Sequence, residues 1–226
     1  MPADPTYVLV HGAWHGAWAW SELERRLEAP TVAVDLPSAA GHAAALGDLE
    51  ADTAEVRRAV DAVDGPVVLV AHSYGGLPVT AAAVGAPNVA HIAYVTAFLL
   101  DEGDTLLGLF GGSEPDWFIP GDGGATVFPD RPEEVFYNDC PPDVAAAAAR
   151  RLVPHARSVF TDALHGTAWR DVPTSYVVCE QDNAIPAFAQ DAMAARAGSV
   201  HRLDSGHSPF LSRPDEVAEL LRAAVA

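Results

Sequence analysis

The chain carries one serine in a setting where it could do chemistry. In "VVLVAHSYGG", residues 67–76, an apolar run ends in Ala71, and Ser73 follows between His72 and Tyr74, with Gly75 and Gly76 behind it. A serine hydroxyl is a weak nucleophile until a base takes its proton, so a histidine must reach it. Of the nine histidines, His207 in "LDSGHSPF" stands just past an apolar run and before the last helical pattern. An acid must then orient that histidine. Asp182, in "EQDNAIP" directly after the apolar run "SYVVC", meets this need, with Asp101 as the alternative and Glu180 closer to the strand end. Serine, acid and histidine follow one another in that chain order, and the implied reaction is acyl transfer through a serine ester.

Such a reaction also needs two backbone N–H groups aimed at the developing oxyanion. Tyr74, the residue after the serine, supplies one. The loop "HGAWHGAW", beginning at His11 and Gly12, supplies the other at Ala13. Trp14 and Trp18 in that loop read as packing residues. His72 is expected to point away from the serine. His11, His15, His42, His91, His155, His165 and His201 are expected to be structural or on the surface.

These residues need a frame. Short apolar runs at 7–10, 31–35, 67–71, 91–96, 175–179 and 200–203 are continuous rather than alternating, as strands covered on both faces are. Helical patterns lie between them at 20–27, 49–63, 76–84, 187–197 and 213–225. The last opens on "SRPD", where Ser212 and Asp215 have capping-box spacing. This alternation predicts an α/β fold with a parallel sheet of about six strands flanked by helices. Ser73 falls at a strand-to-helix turn, which makes it a nucleophile elbow. The usual G-x-S-x-G has Ala71 in place of its first glycine.

Residues 101–166 break the rhythm. They hold seven prolines, seven aromatic residues and one clear helix, 143–152, acidic at its start and basic at its end. They read as a cap inserted into a core formed by residues 1–100 and 167–226. Trp117, Phe118 and Phe136 of the cap, with Gly12 of the core, are candidates to line the substrate pocket.

Bulk composition narrows the function. The 226 residues are 50% apolar, with a formal net charge of −18, which repels nucleic acid and anionic membrane surfaces. All 13 basic residues are Arg, so lysine Schiff-base chemistry is excluded. Cys140 and Cys179 are too few for a disulfide framework or a zinc site, and Cys179 reads as a buried small hydrophobe. No dinucleotide fingerprint follows the first strand, so neither metal nor cofactor is expected. No signal peptide or membrane span is visible, and a cytoplasmic location is expected.

The run from "YVLVHGAWHGAWAW" through "VAHSYGG" to "YVVCEQDNAIP" and "LDSGHSPFLSRP" resembles the α/β-hydrolase superfamily. Within it, the chain resembles the hydroxynitrile lyase and methylesterase group with its bacterial esterase and pyrethroid-hydrolase-like relatives. The resemblance implies strand order 2-1-3-4-5-6, a small helical cap, no cofactor and a small-molecule ester substrate; a homodimer is compatible with it. The group's lyases carry a threonine after the first-strand histidine and a lysine after the catalytic one. This chain has Gly12 and Ser208 there, which favours ester hydrolysis. Two readings compete: a lyase of cyanohydrin type, and a ligand-binding sensor that keeps the triad without turnover.

Overall fold

The computed structural model of the protein describes residues 4–41 and 45–224. Along the chain run β1 (Thr6–Val10), α1 (Ser21–Leu27), β2 (Thr31–Val34), α2 (Leu49–Asp61), β3 (Val67–Ser73), α3 (Gly76–Ala82) and β4 (Val89–Ala97). After β4 come α4 (Leu106–Leu109), β5 (Phe118–Gly121), β6 (Thr126–Pro129), α5 (Pro132–Phe136), α6 (Pro142–Ala149) and β7 (His155–Ala156). The chain closes with β8 (Thr174–Cys179), α7 (Ala187–Ala194), β9 (Ser199–Leu203), α8 (Pro209–Ser212) and α9 (Pro214–Ala223). Strands β2-β1-β3-β4-β8-β9 form one sheet in that order, and every pairing in it is parallel. The expected six-stranded frame is therefore present. The cores of the expected helices are present too, except that Val225 and His42 lie outside the described residues.

Alternate residues of the central strands feed opposite faces. Val8, Val10, Leu69 and Ala71 pack in one hydrophobic cluster with α2, α3 and the excursion after β4. Tyr7, Leu9, Val68 and Val70 pack in a second with Trp20, α1 and α9. Burial on both faces is why these strands read as continuous apolar runs. No helix of the described residues is long and apolar enough to cross a membrane.

Two local expectations need revision. The excursion between β4 and β8 is helical only in part: β5, β6 and β7 form a three-stranded antiparallel sheet within it. The capping box does not form. Ser212 ends the separate turn α8, so Arg213 becomes the N-cap of α9, without a side-chain cap. A serine already in a helical turn lacks the extended backbone that an N-cap requires. Asp215 instead accepts from Arg26 Nε at 2.7 Å, tying α9 to α1.

The junction of β3 and α3 is the tightest point of the fold. A Cβ on Gly76 would stand 2.1 Å from the Phe98 carbonyl oxygen, and one on Gly75 2.7 Å from the His11 carbonyl oxygen. Both obstacles are backbone and cannot rotate away. We predict that Gly76→Ala loses 3 kcal/mol or more, the upper end of overpacking penalties of ~1–3 kcal/mol. At roughly 2–4 °C per kcal/mol for a chain of this size, the thermal midpoint should fall by roughly 10 °C, read by circular dichroism. An unchanged midpoint would show that α3 can shift away from β4.

Candidate active site

Strand β3 delivers Ser73 into a turn where its φ is +50°. This left-handed backbone is unfavourable for a residue with a Cβ and persists only where the surroundings enforce it. Here the Phe98 amide donates to the Ser73 carbonyl at 3.0 Å and the Gly75 amide donates to the His72 carbonyl at 2.8 Å. The two glycines let α3 start against β4 and the β1 end. Ser73 itself is 9% exposed, at the edge of a cleft.

His207 and Asp182 meet at the same edge of the sheet. His207 Nδ1 lies 2.8 Å from Asp182 Oδ2, and both side chains are buried. The ring therefore carries its Nδ1 proton toward the carboxylate and leaves Nε2 as the basic nitrogen. The carboxylate has four more donors. Its Oδ1 accepts the amides of Ala184 and Ile185 at 2.7 and 2.8 Å. Its Oδ2 accepts from the Thr96 hydroxyl and from Gln190 Nε2 at 3.2 Å. A buried carboxylate is tolerable only when its lone pairs are so filled. Asp101, the alternative acid, is committed elsewhere: it pairs with Arg170, and Arg196 lies 3.5 Å away.

Sequence reasoning missed Thr96 and Gln190. Thr96 donates from a left-handed position, φ +41°, at the C-terminal end of β4, and nothing in its neighbours signals that conformation. Gln190 was open to recognition. It is an amide on the buried face of α7, between Ile185 and Met193, and it also bonds both the amide and the carbonyl of Cys179.

The amides of Ala13 and Tyr74 donate to no other group among the described residues, which leaves both available to a ligand. The neighbouring Trp14 amide is already committed to His155 Nδ1 at 3.3 Å. Gly12 is required by space, since a Cβ there would stand 2.8 Å from both His72 Nδ1 and the Ser73 Cβ. His72 points away from the hydroxyl, as expected. Its Nε2 bonds the His207 carbonyl at 2.9 Å, so it supports the base through the backbone. His15 bonds the Ala13 carbonyl through Nδ1 and the Tyr137 hydroxyl through Nε2, each at 2.8 Å. His11, His91 and His155 are likewise buried in hydrogen bonds, while His165 is exposed and His201 half-buried.

Ser73, Ala13, Trp14 and Tyr74 border an apolar cleft whose walls include Trp117, Phe118, Phe136 and Phe160. The three aromatic pocket candidates thus converge on the nucleophile. Trp14 holds them in place, with its ring stacked on Phe136 and Phe160 at centroid distances of 5.5 Å each. Among the described residues no group of three or more His, Cys, Asp or Glu side chains is arranged to hold a metal ion.

Residues 7–220 match the family model described as "Alpha/beta hydrolase family". The chain belongs to this family. It is 30% identical to Methylesterase 7 of Arabidopsis thaliana over 95% of this chain and 94% of that one. It is 28% identical to the carbendazim hydrolyzing esterase of a Nocardioides species, covering 96% and 98%. Among solved structures, a pyrethroid hydrolase from Sphingobium faniae superposes with a TM-score of 0.86 at 25% identity over 98% of both chains. The α/β hydrolase described here is accordingly an esterase-type enzyme.

The buried histidines give the family frame an acid limit. Burial pushes the His15 imidazole down to about 3 and holds His72 well below its usual range. Below pH 6.5 the unfolded chain protonates both while the folded chain does not, so their contribution to stability is complete above that pH and is lost as pH falls. Asp52 opposes one of them. Burial raises its carboxyl to about 6 from 3.8, so the folded state holds that proton between pH 6 and 4. Two histidines less one carboxyl leave about one proton, or ~1.4 kcal/mol of stability lost per pH unit across that window. Urea midpoints should therefore fall between pH 7 and 5, and the fall should be shallower in His15→Gln. Equal slopes for the two proteins would show that His15 is not held neutral.

Proposed function

We propose that the protein hydrolyses small carboxylic esters through an acyl-enzyme on Ser73. The contact between His207 and Asp182, on the same sheet edge as the strained Ser73 at the rim of the apolar cleft, supports this reading, because it supplies an oriented base. His207 Nε2 takes the Ser73 proton as the hydroxyl attacks the ester carbonyl. The negative charge that forms on the carbonyl oxygen is met by the Ala13 and Tyr74 amides. The same proton passes from His207 to the departing alcohol. Water, deprotonated by His207, then attacks the acyl group and releases the carboxylate, returning the proton to Ser73. Asp182 holds the ring in the tautomer that keeps Nε2 basic and stabilises the imidazolium between the steps.

The residues 101–166 act as a cap over this site, and its aromatic walls favour esters with an aryl or other apolar portion. That preference agrees with relatives named for carbendazim and pyrethroid hydrolysis. The donor set calls for neither metal nor cofactor, and we assign the enzyme to the cytoplasm. Cleavage of cyanohydrins is disfavoured because no lysine exists to receive cyanide, and Ser208, buried with no partner for its hydroxyl, offers no positive charge.

Ser73→Ala should remain folded and lose roughly 10³-fold or more in kcat on p-nitrophenyl esters. Asp182→Asn should also stay folded and fall severely by favouring the wrong tautomer of His207. Near-normal turnover in Ser73→Ala would refute the nucleophile, and a mild Asp182→Asn beside a severe Asp101→Asn would move the acid to Asp101. Side-by-side assays should show ester turnover with negligible cyanide release from mandelonitrile. Serine-dependent cyanide release exceeding ester turnover would reassign the enzyme as a lyase, and tight ester binding without turnover would make it a sensor.

A further inference from the structure

A second buried carboxylate lies beneath the cleft and plays no part in the proton transfers above. Asp52, on the first turn of α2, is fully buried. Its Oδ1 accepts the Ser38 amide at 2.9 Å. Its Oδ2 accepts the Ser38 hydroxyl and, at 2.6 Å, the Tyr74 hydroxyl. Ser38 Oγ in turn lies 3.0 Å from His155 Nε2, and His155 Nδ1 accepts the Trp14 amide at 3.3 Å.

These contacts allow one proton arrangement. A backbone amide can only donate, so His155 Nδ1 must be the acceptor and Nε2 must carry the proton. That proton is given to Ser38 Oγ, whose own proton goes to Asp52. The Tyr74 hydroxyl points its proton to the same carboxylate. Every donor in the set is thus oriented by one ionised side chain. Its two branches end on the backbone beside the two free amides: Tyr74 itself, and Trp14, which follows Ala13.

We propose that Asp52 is a positioning residue for the oxyanion hole, fixing both of its amides through the Tyr74 hydroxyl on one side and the Ser38–His155–Trp14 chain on the other. This rests on the serine-esterase reading above. Replacing the carboxylate by an amide presents an N–H toward donors. Either Ser38 then reverses its hydroxyl or the His155 ring changes tautomer, and in the second case an N–H faces the Trp14 amide. Desolvation keeps the Asp52 carboxyl near 6, and the hydrogen bonds from Ser38 and Tyr74 are what favour its ionised form against burial.

The test compares wild type with Asp52→Asn, Ser38→Ala and Tyr74→Phe, using a p-nitrophenyl ester, a fluorophosphonate probe and an aryl trifluoromethyl ketone. The ketone forms a tetrahedral oxyanion on the serine and so reports the hole directly. Wild type should be labelled at Ser73. Asp52→Asn should lose roughly 10²-fold in kcat, comparable to removing one oxyanion donor, with KM within about threefold. Its affinity for the ketone should fall in step with kcat. Ser38→Ala and Tyr74→Phe, which each sever one branch, should lose about 10-fold in both. If Asp52→Asn does not fold, these two carry the test. Folded variants with kcat and ketone affinity within twofold of wild type would overturn the proposal. So would losses in kcat that leave ketone affinity unchanged. Absence of labelling and turnover in wild type would instead refute the serine-esterase reading, and the proposal with it.

Discussion

The close approach of β3, α3 and the end of β4 governs the rest of the site. Gly75 and Gly76 let α3 begin within contact of the carbonyls of His11 and Phe98. That approach leaves Ser73 no room for an extended backbone and holds it at φ +50°. The cost of the left-handed residue is offset by the packing around it of β3, buried throughout, and of α3, buried at every position but Ala81. The hydroxyl is thereby fixed at the C-terminal edge of the sheet, where the loops after β1, β8 and β9 also arrive. Ala13, Asp182 and His207 follow β1, β8 and β9, and the parallel pairing of these strands with β3 and β4 brings all three to that same edge.

Two buried carboxylates serve that edge in different ways. Asp182 faces the His207 ring and accepts from four further donors. Asp52 accepts from neutral donors, the Ser38 amide and the Ser38 and Tyr74 hydroxyls. Burial raises its carboxyl to about 6, and its surroundings gain orientation from it. Polar networks of this kind are strongly directional because a low dielectric penalises any unmatched donor. The aromatic walls and the polar network beneath them thus differ in kind: the walls line the cleft with rings, and the network sets where hydrogen atoms point.

Much of this was legible in the sequence, for identifiable reasons. The central strands were visible because burial on both faces leaves no alternation to confuse them, the half-exposed edge strands β2 and β9 by their short valine-bearing runs, and Ser73 stood out because two glycines behind a strand have few other purposes. The cap sheet was hidden. Its strands read FIPG and TVFP, with prolines that argue against strands, and β7 has two residues. The apparent capping box at Ser212 failed because a local spacing rule cannot see that α8 already occupies that serine. Thr96 had no signal, since its role comes from a backbone angle imposed by β3. Asp52 did have one. It stands on the 49–52–56–60 face of α2, whose other members are buried and apolar, and a charge on such a face requires partners brought from elsewhere in the chain.

Trp14 shows why the cap and the catalytic loop cannot be treated as separable parts. Its backbone lies in the loop that offers the Ala13 amide, with φ +65°. Its indole N–H donates to the Val127 carbonyl in the cap sheet at 2.9 Å, and its own carbonyl accepts the Val153 amide at 3.0 Å. Its ring touches Trp117, Phe118, Phe136 and Phe160, all of them in the cap. A rigid swing of the whole cap would break both hydrogen bonds and strip the ring of its neighbours, and the oxyanion loop would lose its support in the same motion. The part of the cap joined to Trp14 is thus held in place by the same contacts that shape the catalytic loop. The shape of the aromatic cleft and the course of the loop that holds Ala13 are coupled through one residue, so a change of aromatic wall also acts on the position of the Ala13 amide.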